Sequence, residues 1–296
     1  MQDCLSQYKK DIFSQHGDDG IIEEIFNRLE SKIQIKKFFC EFGAWDGVHL
    51  SNTYNLYKNK NYKGVLIEPN KLRYHKLCNN IPDKRIIKIN SFVSFEGLNT
   101  LEDILKQNQI SLQFDFLSID VDGCDYYILE SIKNIDVKIV CVEFNPTIPN
   151  EVEFIQKKNF AYKQGCSALS LNKLANRMGY DLIAATYNNL FFSKQNLTSY
   201  IIKNKPQLSE IRNDQNFKNY VFYGYDGTII TSKLISLPWH GIEKTDLNIL
   251  PKFLRKYPSE YNFFQKIYFY CLKFFLKPKK YLSNLGKYLL LFLSKF

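Results

Sequence analysis

Residues 36–47, K-K-F-F-C-E-F-G-A-W-D-G, read as a short buried strand that runs straight into a glycine-bounded turn. Phe38, Phe39, Cys40 and Phe42 are apolar and β-favouring, and the run is too short for a helix. Gly43 and Gly47 bound the turn, where glycine lets backbone approach a ligand closely. A strand that ends on an acid, turns and enters a helix is how an open α/β sheet presents a nucleotide site, outside the carboxyl ends of its strands. The glycines do not follow G-x-G-x-x-G, so this stretch alone does not specify a dinucleotide. A second run, Y-K-G-V-L-I-E at 62–68, ends on Glu68, where such sites place a carboxylate on ribose hydroxyls. Either acid alone is equally a turn cap. Glu41 and Glu68 together, in this order at the sheet's carboxyl edge, favour a bound nucleoside.

Further strands and helices alternate along the chain. Ile21, Ile22, Ile25, Phe26 and Leu29 follow helical spacing behind a polar loop, with Asp18 or Asp19 as cap. A helix is expected over 48–58, with Trp45, Asp46 and His49 at its entrance and its amide groups open to an anion. A helix at 70–80, a strand at 84–93, a helix from Thr100 and a strand from Phe114 to Ile119 come next. That last strand runs into Asp120, Asp122 and Asp125 around Gly123, and the following one, 137–142, runs into Glu143 and Asn145. Three acids within six residues do not all stay ionised in an apolar cleft unless solvent, a cation or bound groups compensate them. Oxygen ligands from two neighbouring strand ends suit Mg²⁺, which pairs a few carboxylates with water and substrate oxygens. Asp120, Glu143 and Asn145 are the candidate ligands. The bland alternative has Asp120 and Asp122 holding a cofactor amine and a turn. Residues 146–165 are irregular and read as a lid; a helix at 167–178 and strands at 180–186 and 189–193 complete the sheet.

E-F-G-A-W-D-G, V-L-I-E-P-N, F-L-S-I-D-V-D-G-C-D-Y-Y-I-L-E-S-I and V-C-V-E-F-N-P, taken in order, resemble the FkbM-type group of S-adenosylmethionine-dependent methyltransferases. The resemblance covers roughly residues 12–195. It implies an α/β fold with a Rossmann-like seven-stranded methyltransferase sheet whose last strand is antiparallel, and the residues beyond it read as a C-terminal accessory region and a basic amphipathic tail. It implies S-adenosylmethionine as cofactor, held by Gln15, Glu41, Gly43, Asp46, Gly47, Glu68, Asn90, Ser91 and Asp120. Asp120, Asp122 and Glu143 would then be catalytic, and a sugar hydroxyl of a bacterial surface polysaccharide or glycolipid precursor the acceptor. A phosphorylated small metabolite, or a silent nucleoside-binding scaffold, are the rivals. His240, in the W-H-G segment after Pro238, is a further candidate base, since its ordinary pKa lies near working pH; packing against Trp239 is its plainer role.

The division expected is 1–35 as a loop and helix covering the site, 36–195 as the cofactor domain, 196–258 as an accessory cap and 259–296 as the tail. The cap carries a short lysine-rich helix near 198–205 and a hairpin over 222–232. Seven scattered cysteines without C-x-x-C, and no apolar leader, point to reduced thiols in a cytoplasmic protein. Of the +10 formal charge, most belongs to residues 261–296, which hold seven lysines and no acid. Lysines interleaved with Phe, Tyr and Leu suit peripheral contact with an inner membrane face or a homo-oligomer more than nucleic acid, since arginine is absent there.

Overall fold

The computed structural model describes residues 4–215, 218–223, 229–237, 239, 242–245, 252–254 and 258–276. The chain divides into two compact units, one running to Lys218 and taking in 237–241, the other holding 219–236 and the residues from 242 onward.

In the first unit, α1 (Asp18–Glu30) leads into β1 (Phe38–Phe42), α2 (Tyr54–Lys60), β2 (Lys63–Ile67), α3 (Lys71–Asn80) and β3 (Ile86–Ile89). Then come α4 (Leu101–Gln107), β4 (Gln113–Ile119), α5 (Asp125–Ser131), β5 (Asp136–Glu143), α6 (Ala168–Arg177), β6 (Tyr180–Ala185), β7 (Asn189–Lys194), α7 (Thr198–Ile201) and α8 (Leu208–Ile211). The strands form one seven-stranded sheet in the order β3-β2-β1-β4-β5-β7-β6, with β7 antiparallel to both its neighbours. This is the Rossmann-like, doubly wound sheet that the strand pattern predicts.

The sheet is covered on both faces, which is why its central strands read as unbroken apolar runs. On one face Ile21, Ile25 and Leu29 of α1 pack with Leu56, Leu77 and Ile201 against Phe39, Leu66 and Phe116. On the other, Leu101, Ile104, Leu129 and Leu171 from α4, α5 and α6 cover Phe42, Leu117 and Val140. Helix starts follow side-chain caps: the Asn70 carboxamide accepts from the amides of Leu72 and Arg73, Thr100 from Asp103 and Ser167 from Ser170. Four of the seven cysteines are buried, and all seven are free thiols.

Four local expectations change. The first sheet-covering helix begins at Tyr54 rather than near 48, because residues 44–53 are bound into a turn of their own. β3 closes at Ile89, and of the residues just beyond it Phe92 and Val93 form a cleft wall. The lysine-rich helix shrinks to Thr198–Ile201. α1 is preceded by Gly17 in the left-handed conformation, with no side-chain cap, so Asp18 and Asp19 are free for other work.

In the second unit β8 (Val221–Tyr223) pairs antiparallel with β9 (Ile229–Thr231), the expected hairpin, whose tip lies outside the described residues. β10 (Ile235–Leu237) pairs with β11 (Ile242–Thr245), and α9 (Phe263–Leu276) carries the first piece of the tail. His240 and residues 277–296 also lie outside the described residues.

Candidate active site

The order of the strands reverses between β1 and β4, and a cleft of about 310 Å³ opens at their carboxyl ends. Of the residues singled out in the sequence, Gln15, Glu41, Gly43, Glu68, Asp120, Asp122 and Glu143 line it. Asp46, Gly47, Asn90, Ser91 and Asn145 do not.

β2 delivers Glu68, 2% exposed, to one wall. Its Oε2 accepts from the Trp45 amide at 2.9 Å and its Oε1 from the Asn70 amide at 2.8 Å, so it joins the β1 turn to the start of α3. Each carboxylate oxygen keeps a second acceptor direction. Asn90 donates to the Glu68 carbonyl at 2.7 Å, which closes the end of β3, and the wall beyond it is Phe92 and Val93. Trp45 stands at the rim with the Arg73 guanidinium 4.2 Å over its ring.

Glu41 is spoken for by its own chain. It accepts from the Ser51 hydroxyl at 2.7 Å, the Thr53 hydroxyl at 2.6 Å and the Asn52 amide at 3.0 Å, and burial still holds its carboxyl above the usual range. This three-donor clasp is what delays α2. It also fills the amides expected to face an anion: Asp46 takes those of Val48 and His49, Ser51 takes Thr53 and Tyr54, and the Ile67 carbonyl takes Gly43 and Ala44. Gly43 is required for a close approach within the protein. Its φ is +77°, and a Cβ there would lie 1.8 Å from the Asp120 carbonyl oxygen. Gly47 faces Ile81 and Leu77, under α3.

The opposite wall is acidic. Asp125 caps the turn after β4, accepting from the amides of Val121 at 2.8 Å and Gly123 at 2.9 Å, and burial pushes its carboxyl up to about 6. The turn so held presents Asp120, which keeps an edge open to the cleft but is otherwise enclosed. Burial first, then the charges of Asp125 and Asp122, push Asp120 up to about 7. Glu143, at the end of β5, is raised for the same reasons, burial before the charge of Asp120. Its Oε1 accepts from Asn188 at 3.0 Å, while its Oε2 has no donor among the described residues. Asp120 and Glu143 stand close together, so that their charges repel when both are ionised. Asp122 is exposed, 3.6 Å from Lys163. One carboxylate oxygen from each of Asp120, Asp122 and Glu143 lies within 4.8 Å of the others. That is twice a calcium–oxygen distance and a little more than twice a magnesium one.

Asn145 is turned elsewhere. Its oxygen takes the Thr147 amide and hydroxyl at 3.0 and 2.6 Å, and its nitrogen donates to the Gln164 carbonyl. The 146–165 segment, read as a lid, lines none of the cleft. It is bound to α5 through the Tyr127 hydroxyl on the Gln156 carbonyl and to Arg212 through the Pro146 carbonyl.

Sequence reading passed over several contributors. Asp19, buried, accepts on one oxygen from the amides of Ile12, Phe13 and Ser14 at 2.7–2.9 Å and so shapes the loop that brings Gln15 to the cleft. Asn52 lines the cleft with its nitrogen on Ser118 and its oxygen lacking a donor among the described residues. In the T-Y-N-N turn between β6 and β7, Asn188 holds Glu143 and Asn189 holds Asp18 at 2.8 Å. An S-N-T beside a strand-end acid, and paired asparagines between two strands, were the available signals.

Burial pushes Asp18 up to about 7. A carboxyl that rises on folding binds more protons folded than unfolded, so its contribution to stability falls as pH climbs from about 4 to about 7. The unliganded chain is therefore expected to be more stable at pH 5 than at pH 8. Asp18→Asn should recover on the order of a few kcal/mol at pH 8 and little at pH 5. Thermal melts of both proteins at the two pH values check this; an unchanged gap would show that Asp18 does not carry the titration.

No protein-family model matches the chain, and no curated protein matches it. Among solved structures it is similar to TrmK of M. capricolum in complex with S-adenosyl-homocysteine (TM-score 0.34, 16% identity, 57% of this chain and 66% of that one). It is also similar to an S-adenosylmethionine-dependent methyltransferase from Clostridium acetobutylicum (TM-score 0.40, 9% identity, 62% of this chain and 92% of that one). A third is the DszA carbon methyltransferase (TM-score 0.41, 11% identity, 64% and 57%).

Proposed function

We propose that the chain is an S-adenosylmethionine-dependent O-methyltransferase whose acceptor is a sugar hydroxyl of a bacterial surface polysaccharide or glycolipid precursor. The observation that carries it is one cleft at the sheet's switch point with Glu68 on one wall and the neighbouring carboxyls Asp120 and Glu143 on the other. The FkbM-type motifs support the cofactor and the acceptor class.

The chain's own groups fit that cofactor in two places. Glu68 retains acceptor directions for ribose hydroxyls at the end of β2. Asn52 and Glu143 line the cleft with buried oxygens that lack a donor, which an ammonium group or a cation would satisfy. S-adenosylmethionine, when bound, supplies an electrophilic methyl group. Asp120 or Glu143, whichever is ionised, would accept the acceptor's O–H and take up its proton. Burial holds both carboxyls above their ordinary range, Asp120 at about 7, and a more basic carboxylate takes a proton more readily. Enclosure by Phe42, Val93 and Trp45 limits competing water.

A divalent ion such as Mg²⁺ would be held by Asp120, Glu143 and Asp122, the last in the place first assigned to Asn145. It would lower the acceptor's pKa and orient it. Calorimetric titration with S-adenosylmethionine and S-adenosylhomocysteine, with Mg²⁺ and with chelator, is the test. Micromolar binding is expected for both, and binding of Mg²⁺ alone that is lost in Asp120→Asn would support the ion site. No cofactor binding under any condition would overturn the reading.

A further inference from the structure

We propose that α9 lies flat in the headgroup layer of an anionic membrane and tethers the chain there. In α9 every residue except Gln265, Lys266 and Lys273 is apolar or aromatic. Phe263, Phe264, Tyr270 and Phe275 are 72%, 78%, 63% and 77% exposed, far more apolar surface on one short helix than isolated surface residues leave. At 1.5 Å per residue the helix is roughly 21 Å long, short of the ~30 Å hydrocarbon core, and no described helix is long and apolar enough to cross a membrane.

Charge decides between the occupants of this surface. Lys266 and Lys273 stand two turns apart on one side of the helix, and residues 261–296 hold five further lysines and no acid. Two copies meeting through this segment would bring like charges together with no acid in the segment to offset them. An anionic bilayer supplies both halves of the complement, hydrocarbon for the rings and negative headgroups for the lysines. This inference is independent of the methyl-transfer reading, although a lipid-linked acceptor would share the same surface.

The test is flotation of the full chain with phosphatidylcholine vesicles, with and without phosphatidylglycerol, at low and high salt. The wild type is expected to float with the anionic vesicles about tenfold or more better than with the neutral ones, and less at high salt. The exposed double substitution Phe264→Ser with Phe275→Ser should lower that binding about tenfold or more, and so should Lys266→Glu with Lys273→Glu. Thermal melts of the same preparations report whether the first unit stays intact. Failure to float with anionic vesicles overturns the proposal. So does equal flotation with both vesicle types. A dimer in sedimentation velocity that the two Phe substitutions split, with no flotation, would assign the helix to self-association instead.

Discussion

Asp120→Asn is expected to cut methyl transfer by roughly 10²–10⁴-fold while leaving S-adenosylmethionine binding within a few-fold of wild type. The substitution preserves the shape of the β4 turn, whose conformation rests on Asp125 and on Gly43 packed under the Asp120 carbonyl. What it removes is the carboxyl that stands beside Glu143 in the cleft. An amide cannot take a hydroxyl proton, and it gives Glu143 a fixed donor, so that the remaining carboxyl loses its partner and its basicity together. Transfer of radiolabelled methyl from S-adenosylmethionine into a glycolipid precursor fraction measures the first effect, and calorimetry the second. Normal transfer by the variant would move the reacting centre away from β4. Loss of cofactor binding along with transfer would make Asp120 a cofactor ligand first.

Glu68→Ala should weaken S-adenosylmethionine binding about a hundredfold or more. The carboxylate is asked to do two things, to accept from ribose hydroxyls and to hold the amides of Trp45 and Asn70 that shape the cleft's near wall. Hydrogen bonds to a charged group are each worth about 1.5–3 kcal/mol, so losing the direct contacts alone accounts for most of the fall. Glu68→Gln keeps an acceptor on one side and should lose less. Calorimetry on both variants, with melting curves to verify the fold, separates the roles. An unchanged affinity in the alanine variant would remove Glu68 from the cofactor site.

The predicted chemistry is cheap for this scaffold to host because the acids are buried at strand ends at a known cost. Asp18, Asp120, Glu41 and Glu143 surround the buried Cys141 thiol and, with its burial, hold that thiol well above its ordinary pKa. A cluster of this kind is stable at neutral pH only when protons, donors or a cation compensate it. Ligands that bring ammonium or metal charge should therefore stabilise the chain most at the pH where the unliganded form is weakest.

Much of this could be read along the chain, because it depends on neighbours in sequence. Apolar runs at 38–42, 63–67 and 113–119 make strands, the spacing of Ile21, Ile25 and Leu29 makes a helix face, and the alternation of the two makes a doubly wound sheet. Strand-end acids follow from the same reading, as does a tail rich in lysine and aromatic residues. The use of each acid did not follow. Glu41, Glu68 and Glu143 all end strands, yet Glu41 is clasped by residues 51–53, Glu68 joins two turns, and Glu143 keeps an oxygen without a donor. Asn145 stands two positions after Glu143 and is consumed by Thr147. An acid's availability depends on which donors reach it, and those donors come from 45 positions away for Asn188 on Glu143 and 171 for Asn189 on Asp18. Periodicity carries no record of such pairs. Composition and local pattern decided where strands, helices and carboxylates lie, and tertiary packing, by satisfying some buried groups and leaving others open, decided which carboxylates remain for chemistry.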